Sequence, residues 1–425
     1  MSDFSVFHSD LLNETYHFYR HPSGLKIFVF PKKMTTTYAL LAANFGSVDR
    51  AGAGGEKYPA GVAHFLEHKL FSNEDGSDSF EKFSELGADA NAYTAATRTV
   101  YLFSATGRAE EALGELIRFV THPYFTAESV ERERGIIGEE IRQTGDNPYN
   151  RAYYQMLRGL YETHPVRDEI CGSLASIERI TPEVLYRAYH DYYSPADLTL
   201  VVCGDLTPEA VRAVADREVP ATPTPPRPPR AVVRESAAVA ARVSKTRGQV
   251  AKPVFCIGMK DDGYRLPAAE RTKRDAGMAI LSEMLFSQSG ELFNDLFGSG
   301  EIGADFTADY ALTDGFAFLR LFGEADDPER VFEKILAYFA KERRTGLSRT
   351  EFERCRRVEY AEYIKGFDST EEIAETLLCF ALENAEIFEY AGIVREMEFS
   401  YVEELFREAF LPERFALSAV YPEEE

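Results

Sequence analysis

The chain has 425 residues, 45% of them hydrophobic and 28% charged, which is typical of a globular protein large enough for two or three domains. Its formal net charge of −23 opposes contact with phosphate backbones and anionic lipid surfaces, so neither nucleic acid nor a membrane is an expected partner. The N-terminus shows no signal pattern and no run of 18 apolar residues occurs, so we expect a cytoplasmic protein.

The first half of the chain alternates between predicted strands and helices. The segments LKIFVFP (25–31) and TYALLAANF (37–45) have the composition of strands, and HFLEHKLFS (64–72) that of a helix. NAYTAATRTVYLFS (91–104) predicts a further strand pairing, helical patterns follow, and LTLVVCG (198–204) predicts a final strand. This mixture indicates an α+β arrangement.

A proline-rich segment, VPATPTPPRPPR (219–230), divides the chain nearly in half and has the character of a stiff linker. Beyond it the first pattern returns. AILSEMLFS (279–287) matches HFLEHKLFS (64–72), and GADFTAD (303–309) parallels ANAYTAA (90–96). The separation is too long for a solenoid repeat and indicates one domain written twice.

We therefore expect an α+β protein of two homologous α/β-roll domains, each an antiparallel-rich sheet with helices packed on it. The predicted boundaries are an N-terminal metal-binding domain over 1–218, a linker over 219–230 and a metal-less C-terminal domain over 231–425. The alternative is a chance similarity between helices.

The first copy carries three side chains that the second has lost. His64, Glu67 and His68 form an H-x-x-E-H motif; the matching positions hold Ala279, Ser282 and Glu283. At about 100° per residue the three side chains of the motif share one helix face. Two imidazoles one turn apart suit a single Zn²⁺, and the carboxylate beside them can act on a water. The alternative is two ordinary histidines flanking a solvated glutamate.

A zinc site of this kind needs a third protein ligand, and the helix SVERERGIIGEEIRQ (129–143) offers glutamates. Its apolar residues define an arc of about 140°; they are Val130, Ile136, Ile137 and Ile141. Glu133 and Glu140 fall inside this arc, whereas Glu131 and Glu139 fall outside it. A carboxylate on a buried face needs a positive partner, which zinc would supply; a solvated charged face is the alternative.

The motif, the helix ERERGIIGEE, the strand GADANAYT and the two related halves together resemble the pitrilysin/insulinase family of zinc peptidases, which includes the mitochondrial processing peptidases. The chain looks especially like bacterial members in which a zinc subunit works beside a metal-less paralogue. The resemblance implies that His64, His68 and Glu140 bind zinc, that Glu67 is the general base, and that Glu133 supports the site without binding the metal.

The resemblance also implies an activity, that of a zinc metalloendopeptidase hydrolysing peptide bonds in peptides or unfolded segments through a zinc-activated water. An extended peptide substrate is expected to add to the edge of a sheet through main-chain bonds. The residues of the corresponding strand are Ala90, Asn91, Ala92, Tyr93 and Thr94.

The sequence departs from the family at one point. After an L-F-x-x-L run, self-sufficient members carry an arginine and, seven residues on, a tyrosine; here Phe297 and Ala304 occupy those positions. Neither can donate a side-chain hydrogen bond. We therefore expect a heterodimer with a related metal-less subunit, with a homodimer as the alternative. The competing functions are a non-cleaving peptide-binding or scaffold subunit and a structural zinc domain.

Overall fold

The computed structural model describes residues 4–52, 55–227 and 230–423. Its strands are β1 (Ser5–Ser9), β2 (Glu14–Arg20), β3 (Lys26–Pro31), β4 (Thr37–Ala43), β5 (Ala51–Gly52), β6 (Gly55–Glu56), β7 (Ala88–Thr94), β8 (Thr99–Ala105), β9 (Leu198–Gly204), β10 (Val243–Gly248), β11 (Val254–Asp261), β12 (Thr307–Leu312), β13 (Ala317–Glu324) and β14 (Phe415–Pro422).

Its α-helices are α1 (Val62–Leu70), α2 (Ser79–Leu86), α3 (Ala109–Thr121), α4 (Ala127–Asp146), α5 (Pro148–Leu160), α6 (Leu174–Ile177), α7 (Pro182–Tyr192), α8 (Pro208–Glu218), α9 (Ala268–Phe286), α10 (Glu291–Gly298), α11 (Pro328–Thr345), α12 (Arg349–Lys365), α13 (Thr370–Leu382), α14 (Glu389–Arg395) and α15 (Phe399–Ala409). Within the described residues, none of the helices combines the length and the apolar character that crossing a membrane requires.

The chain forms two compact units, and neither is one continuous segment. The first unit contains residues 1–141, 169–231 and 364–388; the second contains 142–168, 232–363 and 389–425. Each unit thus includes one segment from the other half of the chain. The predicted boundaries at 218 and 231 stay predictions.

The first unit is built on a seven-stranded sheet with the order β1-β2-β3-β9-β4-β8-β7. Its interior strand β4 is buried along its whole length, as expected of TYALLAA, a nearly unbroken apolar run. Helices α1 and α3 cover the sheet through a core cluster that includes Phe65, Leu66 and Phe119. Helix α13, from the second half of the chain, packs against β9 and β4. Strand β7 lies at an edge of this sheet, which is where the site is built.

The second unit repeats the same topology without the first hairpin. Its sheet has the order β10-β14-β11-β13-β12, which corresponds strand for strand to β3-β9-β4-β8-β7. The parallel pair comes first in both series, and the remaining pairs are antiparallel. The predicted α+β class with two similar domains is confirmed.

The predicted alignment of the two edge hairpins is wrong. In the first unit the last pair before the turn is Thr94 with Thr99, and in the second it is Leu312 with Ala317; both turns contain four residues. Thr94 therefore corresponds to Leu312, an offset of 218 positions, whereas pairing ANAYTAA (90–96) with GADFTAD (303–309) requires an offset of 213. Small and alternating residues match in several registers, and only the ladder of backbone hydrogen bonds selects one.

The end of the predicted linker docks on the first unit through ion pairs. Arg227 and Arg230 both contact the carboxylate of Asp49, which is buried, and Arg230 Nη2 also donates to the backbone oxygen of Thr97. The bond to Thr97 ties the linker to the turn of the β7–β8 hairpin. Residues 228–229 of the predicted linker lie outside the described residues.

Candidate metal centre

A glycine starts the helix that carries the motif. Gly61 has a φ of +90°, and a Cβ placed there would lie 2.3 Å from the backbone oxygen of Cys171, so both conformation and space require glycine. Helix α1 then turns its apolar face, including Phe65 and Leu66, into the core of the first unit. The side chains of the H-x-x-E-H motif therefore lie on the other face of the same helix.

Three ligand-type side chains meet beside α1. Nε2 of His64 lies 3.3 Å from Oε1 of Glu140, and Nε2 of His68 lies 3.6 Å from Oε2 of the same carboxylate. One ligand atom from each of the three residues lies within 4.8 Å of the other two. Among the described residues, these three form the group of His, Cys, Asp or Glu side chains that could hold one metal ion. Ligand atoms about 2.0–2.1 Å from a tetrahedral Zn²⁺ stand about 3.4 Å apart. The two histidine–carboxylate separations, 3.3 and 3.6 Å, are therefore close to those of a zinc site.

The chemistry of these groups also fits zinc. Two imidazoles and one carboxylate form the donor set typical of a catalytic zinc site, which leaves a fourth position for water or substrate. Nδ1 of His64 is buried and has no hydrogen-bond partner in the described part of the chain. The other ring nitrogen, Nε2, faces Glu140, so the ring presents Nε2 as its ligand atom.

Glu133 holds the second histidine in place. Its Oε1 lies 3.0 Å from Nδ1 of His68, and its Oε2 lies 3.9 Å from Nζ of Lys69, a lysine that is only 2% exposed. Burial acts to lower the pKa of His68, but the hydrogen bond with Glu133 and the charges of Glu67, Glu133 and Glu140 raise it above its ordinary value. Such a carboxylate orients the ring and makes it more basic.

The carboxylate of Glu140 is stabilised in its charged form. Its hydrogen bond with His64 lowers its pKa, and this effect, with the charges of His64 and His68, outweighs the burial that would raise it. An ionised carboxylate between two imidazoles is ready to accept a cation without first losing a proton.

The candidate base is held by a residue of the edge strand. Oγ1 of Thr94 donates a hydrogen bond of 2.6 Å to Oε2 of Glu67, and Glu67 is 9% exposed. Strand β7 begins after Gly87, whose φ of +70° ends helix α2 and redirects the chain. The sheet thus places the end of β7 against the middle of α1.

The five predicted substrate-binding residues lie together on β7. This strand pairs with β8 on one side, and its other side has no strand partner within the described residues. Ala90 and Ala92 pack against the core cluster, whereas Asn91 is exposed. The unpaired edge has the backbone donors and acceptors that an extended peptide needs.

The helix arc predicted for α4 is right for three of its four apolar members and wrong for Ile136, which is 53% exposed. The side chains of Glu133 and Glu140 are 14% and 38% exposed, whereas Glu131 and Glu139 are exposed on the outer face. Periodicity places a residue on a face, but the width of the buried face depends on what packs against it.

Two neighbours of the site escaped the sequence interpretation. Lys69 adjoins the motif and is buried beside Glu133, and Glu375 of α13 accepts a hydrogen bond of 2.9 Å from Oη of Tyr93. The buried lysine could have been found from its place on α1 next to an apolar run. Glu375 has no local signal, because 282 positions separate it from Tyr93.

The equivalent place in the second unit is a cavity of about 530 Å³. Its lining includes Ala279, Ser282 and Glu283 from α9 and Glu362 from α12. Carboxylates remain there, but the described residues that line it include no histidine. The second unit thus keeps the architecture but has neither histidine of the motif at the equivalent place.

Comparison with known proteins agrees with this division. The family model described as Insulinase (Peptidase family M16) matches residues 50–173, and the one described as Peptidase M16 inactive domain matches residues 179–359. A Bacillus subtilis (strain 168) protein named "Uncharacterized zinc protease YmfH" is 33% identical over 419 residues, which cover 97% of each chain.

Solved structures agree as well. A crystal structure of an M16-like protein from Alicyclobacillus acidocaldarius has a TM-score of 0.91 and 28% identity, covering 100% of this chain and 99% of that one. A protease from Helicobacter pylori shares the fold, with a TM-score of 0.85 and 16% identity over 96% of this chain and 100% of that one. The chain belongs to the insulinase family of peptidases, family M16.

Proposed function

We propose that this chain is a zinc-dependent metalloendopeptidase that hydrolyses peptide bonds in peptides or unfolded segments. The observation that carries the proposal is the meeting of His64, His68 and Glu140, with ligand atoms within 4.8 Å of one another, beside the buried carboxylate of Glu67. Family membership supports it, since the similar Bacillus subtilis protein is named a zinc protease.

The side chains have separate tasks in this proposal. His64, His68 and Glu140 would hold zinc, which would polarise a carbonyl and lower the pKa of a water towards neutrality. Glu67, engaged by Thr94 through Oε2, accepts the proton of the attacking water on Oε1 and delivers it to the departing amine. Glu133 keeps the ring of His68 oriented through the contact at 3.0 Å.

The substrate is proposed to bind as an extended strand along β7. Main-chain hydrogen bonds to Ala90–Thr94 would select extended segments rather than a particular sequence. Folded domains have few free extended segments, so peptides and unfolded chains are the proposed substrates.

The test is cleavage of an internally quenched peptide by zinc-loaded protein and by two variants. Glu67→Gln preserves the shape of the side chain but removes its basicity, so the rate should fall by about 10²–10⁴-fold while zinc content is kept. Glu81→Gln, an exposed glutamate on α2, is the matched control and should cleave normally. Equal rates for the wild type and Glu67→Gln would refute the assignment of the base.

A second candidate is a peptide-binding or scaffold subunit that does not cleave by itself. Phe297 at the end of α10 is 48% exposed and Ala304 is also exposed, so two solvent-facing positions lack the donors that the family places there. This reading predicts tight zinc and peptide binding by the isolated chain without turnover.

We further propose that the working form is a heterodimer with a related metal-less subunit that supplies those donors, with a homodimer as the alternative. Coexpression with a metal-less relative from the same cell should increase peptide cleavage and shift the solution mass to that of a pair. Full activity in a pure homodimer would contradict the proposal.

A further inference from the structure

The hydroxyl of Thr94 makes a short hydrogen bond to the carboxylate of Glu67, the candidate base. The 2.6 Å separation from Oγ1 to Glu67 Oε2 is typical of a hydrogen bond to a charged oxygen. Glu67 is 9% exposed, so little water can replace this donor. A carboxylate on a side chain with three rotatable bonds needs such a contact to keep one orientation.

Thr94 is itself held on a rigid support. It pairs with Thr99 across the hairpin, and Oγ1 of Thr99, which is fully buried, donates to the backbone oxygen of Phe45 at 2.9 Å. The preceding residue, Tyr93, donates its hydroxyl to Glu375 of α13 at 2.9 Å. The strand that carries Thr94 is therefore fixed from both neighbouring elements, which is the requirement for a residue that orients another.

The second unit has lost both members of this pair. By the hairpin register, Leu312 stands at the position of Thr94, and Ser282 matches Glu67 in the repeated helix. Leucine cannot donate a hydrogen bond. A threonine kept only for packing or strand formation would not be expected to disappear together with the carboxylate it contacts.

We propose that Thr94 is a positioning residue for the reaction and sets the orientation in which Glu67 receives the proton. The inference rests on the proposed function, because it assumes that Glu67 is the base. Since Thr94 also ends the strand proposed to bind substrate, docking of the peptide and orientation of the base share one rigid element. Misplacing a reacting group by about 1 Å can cost about 10²-fold in rate.

Two substitutions separate this role from a merely structural one. Thr94→Val keeps the branched shape and removes the donor, so kcat should fall about 10–100-fold, with KM nearly unchanged because the backbone of β7 is retained. Thr94→Ser keeps the hydroxyl and should restore most of kcat. Thr97→Val, in the turn of the same hairpin, controls for the replacement itself and should leave kcat unchanged.

The experiment measures kcat, KM and zinc content for these variants and repeats Thr94→Val in the Glu67→Gln background. If Thr94 acts through Glu67, Thr94→Val causes no further loss of kcat in the Glu67→Gln background. A Thr94→Val enzyme with normal kcat, or one that loses the same factor in both backgrounds, would overturn the proposal.

A crystallographic comparison distinguishes this inference from the proposed function. If the wild type with zinc cleaves nothing, the proposed function fails, and the role of Thr94 is then decided by the position of the Glu67 carboxylate. The Glu67 carboxylate should move in crystals of Thr94→Val and keep its position in crystals of Thr94→Ser. An unmoved carboxylate in Thr94→Val overturns the inference whatever the activity.

Discussion

Replacing Glu133 with glutamine tests how the site depends on charge next to a ligand. The change keeps the shape of the side chain, whose Oε1 lies 3.0 Å from Nδ1 of His68, and both side chains are largely buried, at 14% and 24% exposed. A hydrogen bond to a charged group contributes about 1.5–3 kcal/mol, which corresponds to about 10–150-fold in a binding constant. Substitution of such supporting residues in metal sites costs about 10–100-fold in metal affinity. We expect Glu133→Gln to lose zinc affinity by a factor in that range at neutral pH.

The same substitution should change the pH dependence of zinc binding in the opposite direction. In metal-free protein the pKa of His68 is raised above its ordinary value, so protons compete with zinc up to a higher pH than an ordinary histidine would allow. Removing the charge of Glu133 brings this pKa down. Zinc binding by the variant should therefore be weaker at neutral pH, yet its decline on acidification should begin at a lower pH.

The assay is competition for zinc against a chromophoric chelator over a pH series, with circular dichroism to verify folding. Glu131→Gln is the matched control, because Glu131 lies on the same helix with its side chain 73% exposed. The reasoning is refuted if Glu133→Gln binds zinc no more weakly than Glu131→Gln, or if the two pH profiles coincide.

Three other predictions follow from particular contacts. Glu140→Gln should abolish stoichiometric zinc in elemental analysis while Glu139→Gln retains it; the reverse result would show that the third ligand is wrongly assigned. The side chain of Glu235 is buried, which raises its pKa, but hydrogen bonds from backbone N–H groups and from Lys260 lower it to about 2. Relative to the ordinary pKa of 4.5, this shift contributes about 3 kcal/mol to the free energy of unfolding, present above about pH 4.5 and lost as the pH falls through about 2. Glu235→Gln should thus flatten the acid limb of stability in urea titrations. Leu378→Ala, a fully buried side chain of α13, should cost about 2–5 kcal/mol in the same assay, and a cost near zero would contradict docking of that helix on the first sheet.

The neighbourhood of His64, Glu67 and His68 could be predicted from spacing alone, because helix periodicity is a local property and decides which side chains share a face within one turn. The doubling of the fold was also readable, since the order of strands and helices is repeated in the order of apolar patterns. In both cases the information lies within short windows of the chain.

The exact register of the second hairpin and the exposure of Ile136 were not predictable in this way. Alternating small residues such as those in GADFTAD fit a ladder at several offsets, and the hydrogen bonds of the assembled sheet select one. Likewise, an isoleucine at the margin of a helical arc is buried only if another element covers it, and Ile136 stays 53% exposed among the described residues.

Local sequence patterns are therefore enough to predict the class of the fold, the repeated halves and a helix face that carries two imidazoles and a carboxylate. Three contacts become visible only in the folded chain: Thr94 with Glu67, Glu133 with His68, and Tyr93 with Glu375 from the other half of the chain. The cause is sequence separation, because periodicity acts over a few residues, whereas these pairs span 27 to 282 positions and form only once the sheet and helices have packed on a common core.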